Sequence, residues 1–168
     1  LLVHQTWAYR KDDPRFTKPS EKTGEPATQE AMYQGLRSAY DQMASALAAR
    51  VIPVGDAFFA ADTDPVWGYK TDAGFHPKTA KQPELPLQTN SLHVGWRWAK
   101  PKNGGKVTLS MDGHHANLAG EYLGACVWYE VLFGESVVGN CHVPKGIEKA
   151  YARFLQETAH RAVLATQK

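Results

Sequence analysis

In the stretch SMDGHHANLAGEYLGACVWYE, residues 110–130, an acid and two adjacent histidines stand where a β-type run gives way to an apolar-striped segment. Residues of these types can do hydrolytic chemistry. A carboxylate that accepts a hydrogen bond from one imidazole nitrogen fixes the tautomer and leaves the other nitrogen as a base. Asp112 and His115 are three positions apart, which makes them neighbours on one helical-type turn. The spacing predicts Asp112 as orienting acid, His115 as general base and His114 as a neighbour. The same residues also read as a helix N-cap at Asp112 followed by solvated histidines. A third reading is a metal-dependent hydrolase with Asp112, His114 and His115 as ligands, joined by His93 or His76. Against it, adjacent histidines diverge on a regular helix, and no His-Glu-x-x-His spacing is present.

A base and its acid need a nucleophile, and no serine of this chain is placed for that work. Ser110 lies on the β-type run beside Asp112, and Ser136 follows the apolar helix. Ser20, Ser38, Ser45 and Ser91 lack a strand-to-helix context.

The elements that must position these residues alternate between strand and helix. LLVHQ reads as the end of a buried strand, and TWAYRKDDPRFTKPSEKTGEP as a long polar loop. Thr28 is a candidate N-cap with Glu30 in the first turn, before a helical stripe of Met32, Leu36, Tyr40, Met43 and Leu47. VIPVG is a second short strand, so strand, loop, helix and strand predict a parallel sheet with crossover helices. Residues 56–90 read as a long functional loop, with Asp56 as a helix N-cap at its start. SLHVGWRWA and VTLSM form a hairpin around PKNGGK, with Trp96 and Trp98 as core residues. Residues 61–109 together read as an insertion. Leu118, Tyr122, Cys126, Tyr129 and Phe133 stripe the next helix, which Gly134 ends; a last helix runs from Pro144 with Ile147, Tyr151, Phe154 and Thr158 on one face. Ligands of open α/β sheets bind beyond the carboxyl ends of the strands. Gln5, Thr6, Trp7, Tyr9 and Arg10 emerge there, with Trp7 suited to stack on a sugar ring and Gln5 or Arg10 to hold a substrate oxygen.

Two parallel strands cannot cover the apolar faces of three helices. Residues 1–168 therefore read as one partial domain, the second half of a doubly wound α/β domain whose other strands lie upstream. Hydrophobic residues at 43%, charged residues at 21% and a net charge of +2 are those of an ordinary globular chain. Without a basic stripe or an apolar run of ~20 residues, nucleic-acid binding and a membrane-spanning helix are not expected. Cys126 and Cys141 are the only cysteines, too few for a disulfide scaffold; Cys126 reads as a reduced core residue, or as a bridge to Cys141 if the protein is exported.

DGHHANLAGEYLGACVWYEVLFG resembles the last segment of the SGNH hydrolases, the GDSL-like esterase superfamily, where an Asp-x-x-His pair completes a Ser-His-Asp triad before the C-terminal helix. HQTWAYRKDDP, MYQGLRSAY and VIPVGDAF are similar to a bacterial branch of that superfamily known mainly from genome sequences. The resemblance covers most of the chain outside residues 62–107. It implies the C-terminal half of a three-layer, flavodoxin-like domain with a hairpin insertion. It further implies a serine esterase that deacylates a carbohydrate or another small ester, without cofactor or metal, in a secreted or periplasmic setting. Asp112 and His115 match the family's acid and base; Asn117 and Gly120 match the positions that shape the start of the helix. Gln5, Trp7, Arg10 and His114 are the expected substrate-binding residues. The chain departs from the family in lacking the nucleophile segment and the other oxyanion-hole segments, which are expected upstream. A carbohydrate-binding relative without catalysis is the alternative that this departure leaves open.

Overall fold

The structure, a computed structural model, describes residues 1–17, 24–101 and 104–167. Ser20 and the centre of the hairpin turn, Lys102 and Asn103, lie outside the described residues. The fold is mixed α/β. Two short β-branched runs pair in parallel: β1 (Leu2–His4) and β2 (Arg50–Ile52), with Val3 opposite Val51. Between them come a helical turn, α1 (Pro14–Thr17), inside the expected polar loop, and the crossover helix α2 (Gln29–Ala46). The Thr28 hydroxyl caps α2 by accepting the Ala31 N–H at 3.1 Å. Among the described residues β1 pairs only with β2, so its other edge carries no strand.

Directly after β2 the chain forms α3 (Val54–Asp62) and not the start of an irregular loop. Its sequence, VGDAFFAAD, is apolar around most of its circumference: Val54, Ala57, Phe58 and Ala61 form the buried face, and Phe59 and Ala60 lie off it. Apolar residues on the open side as well as the buried one blur the amphipathic period. Pro53 occupies its N-cap, and Asp56 sits inside the first turn instead of capping it.

The hairpin is antiparallel, β3 (His93–Ala99) against β4 (Thr108–Ala116). β4 runs five residues beyond the expected Met111, and His93 and Gly95 face inward where Val94, Trp96 and Trp98 are only half-buried. Helix α4 (Leu118–Phe133) follows with Asn117 as its cap, accepting from the N–H groups of Ala119 and Gly120, so the capping role read for Asp112 belongs to Asn117. Gly134 closes α4 in the left-handed conformation at φ 70°. Helix α5 (Lys149–Ala165) starts later than Pro144, which belongs to a preceding turn.

The helices cover one another. α3, α4 and α5 enclose a core of Leu123, Val127, Val131, Leu155, Ala159 and Val163, with Ile52 and Leu92 completing it. Each such aliphatic side chain contributes roughly 1.5–3 kcal/mol on burial. The buried face of α4 is centred on Leu123 and Val127, leaving Leu118 and Phe133 of the expected stripe exposed. Helix α2 is less well covered: Tyr33 and Ala44 are buried, the former stacked on Phe59 at 4.0 Å, but Met43 and Leu47 face solvent. Cys126 is buried and Cys141 exposed, and both are free thiols. No helix among the described residues is long and apolar enough to cross a membrane.

Candidate active site

Asp112 and His115 do meet, though not on a helical turn. Both lie in β4, where residues three apart normally point to opposite faces. The register explains the exception. His93 is opposite Ala116 and Gly95 is opposite Asp112, so two steps along β3 are matched by four along β4. This bulge turns the end of β4 and carries Asp112 and His115 to one side. Gly113 sits within it, and a Cβ there would collide with the Asp13 carboxylate and approach Met111 Cε to 3.0 Å. The Gly113 carbonyl accepts the Arg10 N–H at 2.8 Å, tying the bulge to the segment after β1.

The Asp112 carboxylate accepts the backbone N–H of His115 at 3.1 Å and lies 3.0 and 3.1 Å from its Nδ1. Burial alone would push this carboxyl up. The two His115 hydrogen bonds outweigh it and hold Asp112 below the usual carboxylate range. An ionised acceptor at that distance places the proton on Nδ1 of His115 and leaves Nε2 with its lone pair. The His115 side chain is 70% exposed; among the described residues its only side-chain hydrogen-bond partner is Asp112, and its ring lies 4.1 Å from that of His114. The pair therefore presents an oriented base outward.

His114 is arranged differently. Its Nδ1 lies 3.1 Å from Arg15 Nη2 and 3.3 Å from Asp112 Oδ1. A guanidinium can only donate, so Nδ1 of His114 is an acceptor and its approach to Asp112 is not an ion pair. Arg15 is fixed by the buried Asp13 at 2.7 Å and by the Tyr9 ring, 3.6 Å below its guanidinium. Trp7 stacks on Phe58 at 4.5 Å, and its indole N–H donates to the His114 carbonyl at 2.9 Å. Asp13 and Arg15 have no signal in the sequence beyond a polar loop.

The other expected contact residues turn inward. Gln5 is buried and makes a closed pair with Asp56, donating to its Oδ1 at 2.9 Å and accepting its N–H at 3.0 Å. Arg10 is fully buried: it grips Asp12 at 2.6 and 2.9 Å, donates to Gln88 and Ser91, and lies over the Tyr69 ring. Neither presents a polar group at the surface; both anchor the loop carrying Trp7 and Arg15.

Asp112, His114 and His115 also offer one ligand atom each within 4.8 Å of one another, a grouping of the kind that holds a metal ion. The Arg15 guanidinium beside His114 opposes a cation there. His93 does not join the group: it is buried, with Nε2 3.1 Å from the Ala8 carbonyl, and burial pushes its pKa down to about 4. His76 lies outside the group as well. Of the serines, Ser110 donates to the Arg97 carbonyl. Ser136 contacts Nδ1 of His160, the same nitrogen that faces Glu130, which is not the two-sided arrangement a triad needs.

No family model matches the chain, and no curated protein matches it. Its fold is similar to the crystal structure of a DUF4886 family protein from Bacteroides uniformis, with a TM-score of 0.63 and 24% identity. The match covers 100% of this chain and 49% of that one, so the chain spans about half the length of this neighbour.

Proposed function

We propose that these residues are the acid–base half of an SGNH-type serine esterase that removes acyl groups from a carbohydrate or another small ester. The observation that carries the reading is the Asp112–His115 pair at 3.0 Å, with an Nε2 lone pair facing outward from the carboxyl end of the fold's hairpin. A serine from a segment outside this numbering attacks the acyl carbonyl. His115 takes its proton and returns it to the departing hydroxyl, while Asp112 stabilises the imidazolium. The open edge of β1 and the uncovered Met43 and Leu47 of α2 suit further strands and helices of the same domain. In the intact protein the serine hydroxyl should lie about 2.6–3.2 Å from His115 Nε2.

Acetyl-ester hydrolysis by the intact protein tests the assignment. His115→Ala is expected to lower kcat/KM by about 10³-fold or more, and His114→Ala far less. Activity should survive chelators and be abolished by a fluorophosphonate. Reversal of the two histidine effects would reassign the base, and sensitivity to chelators would favour the metal reading of Asp112, His114 and His115. Binding of acylated sugars without turnover would favour a non-catalytic relative.

A further inference from the structure

A cleft of about 500 Å³ opens between the N-terminal ends of α4 and α5, within the size range of small-molecule sites. One wall is aromatic, made by Trp67 and Tyr151, whose rings stack at 5.6 Å. Thr89, Asn90, Asn117 and Glu148 also line it. Among the described residues the Trp67 indole N–H has no hydrogen-bond partner and is not buried, as holds also for Trp96, whereas those of Trp7, Trp98 and Trp128 have acceptors. Among the described residues the Asn90 side-chain amide likewise has no protein partner, and it is not buried. Glu148 and Thr89 are exposed.

The backbone holding Asn90 is fixed from two sides. The Tyr151 hydroxyl donates to the Asn90 carbonyl at 3.0 Å, and the Asn117 amide, itself the cap of α4, donates to the Ser91 carbonyl at 2.6 Å. Between these anchors Asn90 adopts φ 59°, a left-handed conformation uncommon outside glycine. A free amide is thus held rigid beside an aromatic wall, with Asn117 only two residues beyond His115.

We propose that this cleft is a carbohydrate subsite, in which one pyranose ring lies against Trp67 while the Asn90 amide and the Glu148 carboxylate bind its hydroxyls. An aromatic face meets the C–H face of a sugar, and an amide with a carboxylate supplies the donors and acceptors that adjacent hydroxyls need. The inference rests on the esterase reading for the bond that is cleaved, but not for the binding itself. It moves the sugar contact from Trp7, whose indole N–H is taken by the His114 carbonyl, to Trp67.

Titration calorimetry and saturation-transfer NMR with the intact protein test it, using oligosaccharides of β-linked xylose, glucose and N-acetylglucosamine. At least one is expected to bind below about 10 mM. Asn90→Gly keeps the left-handed backbone and removes the amide, and Trp67→Leu removes the ring. Each is expected to weaken binding about tenfold, and Trp128→Ala, in a different cleft, to leave it unchanged. Because Trp67 also packs on Phe154, Asn90→Gly is the decisive variant. Absence of binding at about 10 mM, unchanged affinity in Asn90→Gly, or an equal loss in Trp128→Ala overturns the proposal. His115→Ala should bind sugar like the wild type. Ester hydrolysis without sugar binding would sink the subsite alone, and sugar binding without hydrolysis would sink the esterase alone.

Discussion

Asp62→Asn should stabilise the protein at pH 8 and do almost nothing at pH 4. Asp62, on α3, is buried, and its Oδ2 lies 3.7 Å from Nδ1 of the equally buried His93. That is too long for a hydrogen bond. Asp62 Oδ1 and His93 Nδ1 have no partner, and the one strong bond to the carboxyl is from Gln29 at 2.9 Å. Burial pushes the Asp62 carboxyl from 3.8 up to about 7, the Gln29 bond opposing it, and pushes His93 down to about 4. The unfolded acid ionises near 3.8 while the folded one keeps its proton, so stability from Asp62 falls as pH rises from there to about 7. At 1.36 kcal/mol per unit the full loss is about 4 kcal/mol, which relaxation of the site and water entry reduce to roughly 1–3 kcal/mol. His93 acts in the opposite sense. It loses stability as pH falls from 6.5 to about 4, because the unfolded imidazole takes a proton that the folded one refuses. The two slopes oppose one another between pH 4 and 6.5, so the wild type should be flat there and weaken above it. Asn is neutral throughout and can accept from Gln29 through its oxygen. Urea unfolding of both proteins at fixed ionic strength from pH 4.5 to 8 measures the difference. An equal difference at both ends, or a less stable variant at pH 8, refutes the reasoning.

The remaining predictions concern the bulge and the base. His115→Ala and His114→Ala should separate by orders of magnitude in ester hydrolysis, as set out above. Asp112→Asn keeps the shape but no longer demands a proton on His115 Nδ1, so kcat should fall by about 10³–10⁴ at neutral pH with stability changed by less than about 1 kcal/mol. A large loss of stability with normal activity would make Asp112 a structural residue. Gly113→Ala should cost roughly 1–3 kcal/mol in denaturant unfolding, since its Cβ meets the Asp13 carboxylate. If Asp13→Ala does not restore the stability of Gly113→Ala, the clash is not the cause.

What could be read from the sequence was what has a local period or cap. The parallel pair of strands, the Thr28 cap, the hairpin and the helix after Asn117 all announce themselves within a few residues. Helix α3 did not, because Phe59 and Ala60 carry its apolar residues beyond the buried face and blur the amphipathic period. Spacing pointed to the meeting of Asp112 and His115 only through a helical turn, and on the strand that forms instead the same spacing would part them. A bulge is a property of two strands, and the register that creates it joins His93 to Ala116 across the whole hairpin. Gln5 and Arg10 were expected at a ligand-binding rim because they follow the carboxyl end of a strand of an open α/β sheet. Here partners distant in sequence, Asp56 for one and Gln88 and Ser91 for the other, draw them inside.

Adjacent histidines pose a choice that composition cannot settle, and the polar loop settles it electrostatically. Asp112 lies within 3.3 Å of both rings, so either could in principle take its carboxylate. Arg15 removes one candidate. Because a guanidinium donates and never accepts, His114 must offer its Nδ1 lone pair to Arg15 and has no proton there for Asp112. The carboxylate is then left to His115, which receives it twice over, through its ring and its backbone N–H. Asp13 keeps Arg15 aimed, and the absence of a side chain at residue 113 lets Asp13 approach. A loop without a pattern of its own therefore decides which imidazole becomes the outward-facing base, and the bulge decides where it faces.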